Sequence, residues 1–236
     1  MKLFYKVTHF FRLSAEKNYF CSNMDNIELI LKYFPDIDAT ARRQFECLGT
    51  LYPEWNAKIN VISRKDIDSL YVNHILHSLA IARFLGPLEE DTTMLDLGTG
   101  GGFPGIPLAI AYPECRFHLI DRIGKKINVA SEIAKEIGLD NVTFQHGDIG
   151  ECHDSYDYVV SRAVMALDRL VKLSAKNVIR RPTRVNNYAP GIVCLKGGDL
   201  SEESADVRYP VIEYPLSEFF DEDRFDTKKL VYVPVK

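Results

Sequence analysis

The side chains and spacing best suited to chemistry belong to one short loop that is rich in glycine. Every second position after the acid Asp96 is a glycine, at Gly98, Gly100 and Gly102. An apolar run precedes the acid and apolar residues at helical spacing follow the glycines, so the segment predicts a strand, a tight turn and a helix. Glycine lets the backbone approach a ligand, and the first turn of a helix offers free N–H groups and a positive dipole end. The loop therefore predicts a nucleotide-cofactor site, against the alternative of a glycine-rich surface turn.

The residues around these glycines bear on which nucleotide binds. Residues 100–105 match the dinucleotide fingerprint G-x-G-x-x-G, and Asp121 follows at about the expected distance. Two features argue against a dinucleotide: Asp96 would repel phosphate, and Phe103 with Pro104 fills the place where a pyrophosphate would meet the helix. An acid can instead hold an ammonium group, through a water or the loop backbone, as the methionine end of S-adenosylmethionine requires. The loop favours S-adenosylmethionine over NAD, which stays open as an alternative.

The elements after the loop are predicted to alternate between strand and helix. Strands are expected at 116–121, 141–146, 156–161 and 192–196, and helices at 124–137 and 166–178. Two further apolar runs, 211–214 and 230–233, predict a hairpin. Strands that alternate with helices form a parallel sheet with right-handed crossovers, to which the hairpin would add one antiparallel strand.

Ligands of such a sheet lie beyond the carboxyl ends of its strands. Gly98, Asp121, Ile149 and Arg162 are predicted to converge there, because each follows or ends a predicted strand. Asp121 ends the second strand, where a carboxylate can accept hydrogen bonds from both hydroxyls of a ribose. The predicted cofactor site therefore extends across several strand ends.

The part of the chain before the glycine loop is predicted to be helical. Apolar residues at helical spacing indicate three helices between residues 25 and 84, and Pro53 is expected to end or kink the second one. In the third, His74 and His77 lie one turn apart, a spacing at which two histidines could share a metal ion. Since no Cys or Glu nearby completes such a site, we interpret them as packed or capping histidines.

Length and cysteine usage limit the class of protein. With 236 residues and 46% hydrophobic content, the chain can form one sizeable core, and we expect one domain with an appendage. Its five cysteines are odd in number, scattered and without a C-x-x-C pair, which predicts free thiols in a reducing, cytoplasmic compartment and no zinc site. No segment resembles a signal peptide or a membrane span. A helical pattern follows Met24, so residues 1–23 are expected to be a dispensable extension.

Charge is unevenly distributed along the chain. The whole sequence has a net charge of −4, yet residues 162–196 contain eight cations and one acid, a net charge of +7. A basic segment on an acidic protein suits contacts with the phosphates of a nucleic acid. A solvated helix face is the alternative interpretation.

Several segments are similar to one known family. They are W-N-x-x-I-N-V-I-S at 55–63, H-I-L-x-S at 74–78, L-D-L-G-T-G-G-G-F-P-G-I-P-L at 95–108, D-x-x-x-K-K at 121–126, S-R-A at 161–163 and L-K-G at 195–197. Over about residues 24–200 the chain resembles the RsmG (GidB) class of bacterial 16S rRNA guanine-N7 methyltransferases. The T-G-G-G-F-P-G-I-P run and the W-N-x-x-I-N segment are specific to that family, which a bare G-x-G is not.

The resemblance implies both a fold and a set of contacts. The implied fold is α/β, a class I S-adenosylmethionine-dependent methyltransferase fold with a mostly parallel seven-stranded sheet, helices on both faces and an N-terminal helical region. We expect the helical region to span 24–90 and the methyltransferase domain to span 91–236. The resemblance implies contacts with S-adenosylmethionine at Gly98, Phe103, Ile149, Gly150 and Arg162, and the loop itself adds Gly100 and Asp121.

The implied target atom determines which chemistry the site needs. Guanine N7 carries an in-plane lone pair, so its methylation needs neither a nucleophilic cysteine nor a general base. An arginine forked onto both O6 and N7 would block that lone pair. We therefore expect Arg162 and Lys196 to be the catalytic residues, acting at O6, at a phosphate or at the cofactor carboxylate.

The resemblance also implies a partner. We expect a monomer that acts on 16S rRNA or the small ribosomal subunit, with no metal and no membrane contact. Methyl transfer to a small molecule or a protein is one alternative, for which the basic segment would be incidental. A non-catalytic nucleotide-binding module is the other.

Overall fold

The computed structural model describes residues 26–162, 164–180 and 184–235. Predictions that concern residues 1–23, Met24, Ala163 and Arg181 lie outside these ranges. The described chain begins with helix α1 over residues 26–33, followed by α2 at Ala39–Lys58 and α3 at His77–Leu85. A 3₁₀ turn at Ile67–Ser69 and a π turn at Tyr71–Leu76 lead directly into α3.

The rest of the chain alternates between strand and helix, as predicted. The strands are β1 (Thr93–Leu97), β2 (Arg116–Asp121), β3 (Val142–His146), β4 (Tyr158–Arg162), β5 (Gly191–Gly197), β6 (Ile212–Pro215) and β7 (Lys228–Pro234). The helices between them are α4 (Gly105–Ala111), α5 (Gly124–Glu136), α6 (Leu167–Ser174) and α7 (Ser201–Ala205). These bounds lie within a few residues of the predicted ones.

The strands form one seven-stranded sheet in the order β3-β2-β1-β4-β5-β7-β6. Neighbouring strands are parallel from β3 to β5, and β7 is antiparallel to both β5 and β6. The predicted mostly parallel sheet with one antiparallel strand is therefore confirmed. Its carboxyl edge holds the ends of β1, β2, β3 and β4, where the predicted site residues follow.

The sheet is covered on both faces, as the alternation of buried residues along β1 shows. Met94 points into a core shared with α1, α2, α3, α4 and α5, whereas Leu95 points into a second core shared with α6. The N-terminal helices thus pack against one face of the sheet rather than standing apart from it. The division at residue 90 stays a prediction.

Two predicted helix ends differ from the observed ones. Pro53 does not end α2, which continues to Lys58 and so includes part of the 55–64 segment that lacked helix signals in the sequence. Proline costs the hydrogen bond to the carbonyl one turn earlier, but Tyr52 beside it is fully buried and anchors this part of the helix. Helix α6 ends at Ser174 and continues as a 3₁₀ turn, because the buried Asn177 side chain donates to the carbonyls of Cys152 and Asp154.

No helix in the described part of the chain combines the length and the hydropathy needed to cross a bilayer. In the same ranges, no three His, Cys, Asp or Glu side chains come together as a metal site would require.

Candidate functional site

The glycine loop connects β1 to α4 and has the backbone that its sequence predicts. Gly98 and Gly100 have φ angles of 72° and 58°, in the left-handed region that side chains disfavour. The N–H of Gly100 donates to Oδ2 of Asp121 at 2.8 Å. A Cβ on Gly100 would meet no described atom within 4 Å, so the loop is open on the side next to that carboxylate.

Asp121 lies at the end of β2 with both of its carboxylate oxygens oriented by backbone. Besides the bond to Gly100, its Oδ1 accepts a hydrogen bond from the N–H of Ile123 at 2.8 Å. Each oxygen keeps a lone pair, which suits it to accept a hydrogen bond from a ribose hydroxyl. The predicted contact at Asp121 has the acceptors that it needs.

Two exposed apolar side chains border the same edge, and the sequence analysis missed both. Ile123 is 49% exposed at the start of α5, and Val164 is 39% exposed after β4. Val164 lies against the loop, since a Cβ on Gly98 would come within 2.6 Å of it. An apolar residue directly after a strand that ends in an acid is the sequence signal for Ile123, whereas nothing near Val164 in the sequence places it over Gly98.

The loop after β3 is held by a capped turn. Asp148 accepts a hydrogen bond from the N–H of Gly150 at 2.8 Å, and Glu151 accepts one from the N–H of Asp148 at 2.9 Å. The bond from Gly150 and the ion pair with Arg122 lower the pKa of the Asp148 carboxyl. The N–H of the neighbouring Gly147 donates to the carbonyl of Asp121, so the predicted pair Ile149 and Gly150 lies on the same edge of the sheet.

Asp96 is fully buried under the loop and binds the loop itself. Its Oδ2 accepts a hydrogen bond from the N–H of Gly105 at 2.8 Å, which fastens the start of α4 to β1. Burial raises the pKa of this carboxyl to about 7. The sequence analysis expected Asp96 to hold the ammonium group of the cofactor through a water or through the loop backbone. The bond to Gly105 agrees with a role through the backbone.

Arg162, at the end of β4, extends towards the N-terminal helices. Its Nη1 donates to the carbonyl of Asn73 at 3.1 Å and its Nη2 donates to Nδ1 of His74 at 2.8 Å. Burial lowers its pKa to about 10, so the guanidinium is still charged at neutral pH. Among the residues that the structure describes, no carboxylate lies within 4 Å of it. Asp96 and Asp66 lie near enough to raise the pKa of Arg162 but form no ion pair with it, so an anion of a ligand can still pair directly with this partly buried guanidinium.

Phe103 is buried rather than open to a ligand. Its ring packs 4.6 Å from Tyr52 and 5.1 Å from His74, measured between centroids, and the guanidinium carbon of Arg162 lies 5.1 Å from its centroid. The predicted contact between Phe103 and the cofactor is not tested by this geometry and stays a prediction. In this structure the ring packs against the guanidinium of Arg162 and supports it.

Lys196 lies on β5 and is already engaged by protein groups. Its Nζ donates to the carbonyl of Met165 and to Oε2 of Glu203, both at 2.5 Å, and the bond to Glu203 lowers the pKa of that carboxyl. The lysine therefore holds the segment after β4 against α7. Its predicted catalytic role stays a prediction.

Only part of the basic segment is available to a partner. Arg162 and Lys196 are engaged as described, Lys176 donates to the carbonyl of Ile149, and Arg184 pairs with the buried Asp157. Arg169, Lys172 and Arg180 are the cations of the segment that reach solvent without such a bond in the described ranges.

The structure thus brings Gly98, Gly100, Asp121, Ile149 and Gly150 to one edge of the sheet, with Arg162 reaching across from β4. Open backbone, a carboxylate with free lone pairs, exposed apolar side chains and a guanidinium without an ion pair among the described residues together fit the parts of S-adenosylmethionine.

Comparisons with known proteins give a consistent result. A family model described as "rRNA small subunit methyltransferase G" (GidB) matches residues 42–205. The chain is 53% identical to the ribosomal RNA small subunit methyltransferase G of Bacteroides thetaiotaomicron over 206 residues, which cover 87% of this chain and 98% of that protein. It is also 53% identical to the protein of the same name from Phocaeicola vulgatus, over 89% of this chain and 99% of that protein.

Among solved structures, an S-adenosylmethionine-dependent methyltransferase from Aquifex aeolicus matches with a TM-score of 0.50 and 17% identity. The match covers 74% of this chain and 100% of that one. At this identity it shows the likeness of fold alone.

Proposed function

The chain belongs to the rRNA small subunit methyltransferase G (GidB) family, and on that basis we propose that it transfers a methyl group from S-adenosylmethionine to N7 of a guanine in 16S rRNA. The observation that carries the proposal is the glycine loop, whose open side adjoins the Asp121 carboxylate. The proposed substrate is 16S rRNA or the small subunit, the proposed active form is a monomer, and no metal takes part.

The residues at the sheet edge suit each part of the cofactor. Asp121 accepts hydrogen bonds from the ribose hydroxyls, and the exposed side chains of Ile123 and Val164 offer apolar contact to the adenine. The backbone at Gly98, Gly100 and the Ile149–Gly150 pair closes around the ligand. Bound S-adenosylmethionine supplies an electrophilic methyl group on a positively charged sulfur.

The protein has to position the guanine against the methyl group and to exclude water. It needs no base, because N7 has no proton to remove. Both histidines near the site agree with this view, since burial lowers the pKa of His74 and of His77 to about 3 and makes each ring a weak base. Holding N7 in line with the methyl group contributes up to about 7–11 kcal/mol in well-oriented systems. The rate is therefore expected to come from orientation.

Arg162 supplies the charge at this centre. Two of its five N–H groups are used by Asn73 and His74, which leaves the others for the cofactor carboxylate, a phosphate or O6 of the base. The two bonds to the protein orient the guanidinium, and its remaining N–H groups are proposed to contact the cofactor carboxylate, a phosphate or O6 alone, which leaves the lone pair of N7 available. Lys196 is proposed to act at the same groups.

The test is transfer of a labelled methyl group from S-adenosylmethionine to unmodified small-subunit rRNA, followed by nuclease digestion and mass spectrometry of the nucleosides. We expect the label in 7-methylguanosine. Arg162→Ala should lose at least about a hundred-fold in activity while keeping its fold by circular dichroism, because a charged contact at the reacting centre is lost. Arg83→Ala, which removes an exposed cation on α3 outside the basic segment, is the matched control and should stay active.

Label in another nucleoside, or transfer only to protein or small molecules, would overturn the assignment of the target. Full activity of Arg162→Ala would overturn the role of Arg162 and leave the target assignment standing.

A further inference from the structure

The contact between Arg162 and His74 determines which ring nitrogen of the histidine carries a proton. A guanidinium can only donate hydrogen bonds, so Nδ1 of His74, 2.8 Å from Nη2, must accept. The imidazole is therefore neutral with its proton on Nε2. Nε2 is buried and has no hydrogen-bond partner among the described residues.

The π turn at Tyr71–Leu76 presents two neutral acceptors to Arg162 side by side. The carbonyl of Asn73 accepts from Nη1 and the ring of His74 accepts from Nη2, so two consecutive residues hold both ends of the guanidinium. Single π turns within helices occur often at functional sites. A regular α-helical turn would rotate the two acceptors differently about the helix axis.

The surroundings of His74 restrict its ring. Phe103 packs against both the imidazole and the guanidinium, at 5.1 Å in each case. The Oγ of Ser78 donates to the carbonyl of His74 at 2.6 Å, and the hydroxyl of Tyr71 fixes the start of the turn to α2 through the carbonyl of Phe45. The ring and the guanidinium are thus fixed relative to each other.

Arg162 has no carboxylate partner within the described ranges, and S-adenosylmethionine carries one anionic group, its carboxylate. Guanidinium and carboxylate match in geometry, and the pairing is strong where water is excluded. We propose that His74 is a positioning residue, which holds Arg162 through Nδ1 so that the remaining N–H groups face the carboxylate of S-adenosylmethionine. This rests on the proposed function only for the identity of the cofactor, not for the RNA target.

Two substitutions separate this role from simple packing. His74→Asn keeps a hydrogen-bond acceptor close to the place of Nδ1, whereas His74→Gln puts its amide near the place of Nε2 and loses that acceptor. His118→Gln is the control, because the ring nitrogens of His118 bond Thr143 and Gln145 on β3, away from Arg162.

The measurement is isothermal titration of each folded variant with S-adenosylmethionine and with decarboxylated S-adenosylmethionine, which lacks only the carboxylate. For His74→Gln we expect about ten-fold weaker binding of S-adenosylmethionine and unchanged binding of the decarboxylated ligand, as for loss of one hydrogen bond that orients a charged group. His74→Asn should recover most of the affinity. In the Arg162→Ala background, His74→Gln should have no further effect, because the residue acts through the arginine.

Equal weakening for both ligands, or equal weakening by Asn and Gln, would reduce His74 to a packing residue and overturn the proposal. Unchanged binding in His74→Gln would overturn it as well. Since neither titration contains RNA, a wrong RNA target would leave these results unaffected and would show only in the methyl-transfer experiment.

Discussion

Asp96 is fully buried beneath the glycine loop and Arg162 is partly buried at the end of β4, and burial shifts their pKa values in opposite directions. Burial favours the neutral form of each, raising the pKa of the acid and lowering that of the base. Arg162 stays charged across the neutral range, but Asp96, with a pKa of about 7, changes its charge within it. The loop therefore rests on a carboxyl group whose state depends on pH.

The raised pKa of Asp96 predicts a contribution to the pH dependence of stability that Asp96→Asn should remove. Between about pH 4 and pH 7 the folded state keeps the proton on Asp96 while the unfolded state has lost it, so the contribution of Asp96 to the free energy of unfolding falls as pH rises. The lowered pKa values of His74 and His77 act in the opposite sense and are common to the wild-type protein and the variant, so the comparison of the two isolates Asp96. Each pH unit that separates the folded and unfolded pKa values contributes about 1.4 kcal/mol, so the whole fall is on the order of a few kcal/mol. Urea unfolding of the wild-type protein and of Asp96→Asn at pH 5 and pH 8 measures this contribution as the difference between the two proteins.

Exposed Asp154→Asn serves as the control for that experiment and should keep the wild-type dependence. If Asp96→Asn shows the same dependence of stability on pH as the wild-type protein, Asp96 does not make this contribution.

Single residues differ in how far the sequence could identify them. The sequence predicted that Asp121 and Arg162 lie at one edge of the sheet, because Asp121 ends a predicted strand, Arg162 follows another, and strand ends meet at one edge of a parallel sheet. The role of His74 was missed because its partner Arg162 is far away in sequence, and histidine spacing alone suggested only metal binding or packing. Contacts of this kind depend on tertiary structure.

Among the elements, α2 supports the glycine loop from the side of the N-terminal helices. The hydroxyl of Tyr52 donates to the carbonyl of Gly101 at 2.7 Å, and both the ring and the hydroxyl are buried. Tyr52 also packs against Phe103 and lies beside Pro53, so the turn of α2 that should have been weakest is fixed from outside. Of the two outcomes expected for Pro53, an end or a kink of α2, the structure excludes the end, which the sequence could not indicate because it does not show these contacts.

Tyr52→Phe should loosen the loop without removing the ring. The carbonyl of Gly101 would lose its partner, and we expect a stability loss of about 1 kcal/mol together with several-fold weaker binding of S-adenosylmethionine. Thermal unfolding and calorimetric titration measure the two effects.

Tyr232→Phe is the matched control, because the hydroxyl of this buried tyrosine donates to the carbonyl of Ala189, just before β5 and away from the loop. It should lose similar stability and keep its affinity for the cofactor. Equal effects of both substitutions on cofactor binding would contradict a specific role of α2 in shaping the loop.

At the scale of the whole molecule, we expect binding of RNA to depend on the cations close to the site rather than on the net charge. The protein has a net charge of −4, yet two cations without a hydrogen bond or ion pair in the described chain lie near the end of β5. Lys228 is beside Gly197, and Arg224 precedes Phe225, whose ring packs against His77. They lie outside the basic segment that the sequence singled out, because the hairpin returns the chain to this edge of the sheet.

We expect Arg224 and Lys228 to contact phosphates of the RNA. The double substitution to alanine should raise the KM for RNA several-fold. It should also reduce the slope of log KM against log salt concentration by about 1 to 2, as for the loss of one or two phosphate contacts. Affinity for S-adenosylmethionine should stay the same. Methyl-transfer kinetics in salt of increasing concentration measure the slope.

Arg83→Ala, which removes an exposed cation near the end of α3, should leave the slope unchanged. An unchanged slope in the double variant would place the RNA on another surface.

The order of elements was largely predictable, because apolar periodicity and turn residues indicate each strand and helix of the α/β part. The arrangement of the N-terminal helices was not, since nothing in their amphipathic pattern says which surface of the sheet they cover. That arrangement decides the site, because it brings His74 to Arg162 and Tyr52 to Gly101.

The position of β7 has a consequence for how the chain is made. β7 lies between β5 and β6 although it follows both in the sequence. While the chain is being synthesised, β5 therefore keeps one unpaired edge, with the apolar residues Ile192, Val193 and Leu195 beside it, until residues 228–234 emerge. Unpaired strand edges are templates for other chains. The interval between synthesis of β5 and of β7 is thus when the nascent protein is open to misassociation, and the insertion of β7 ends it.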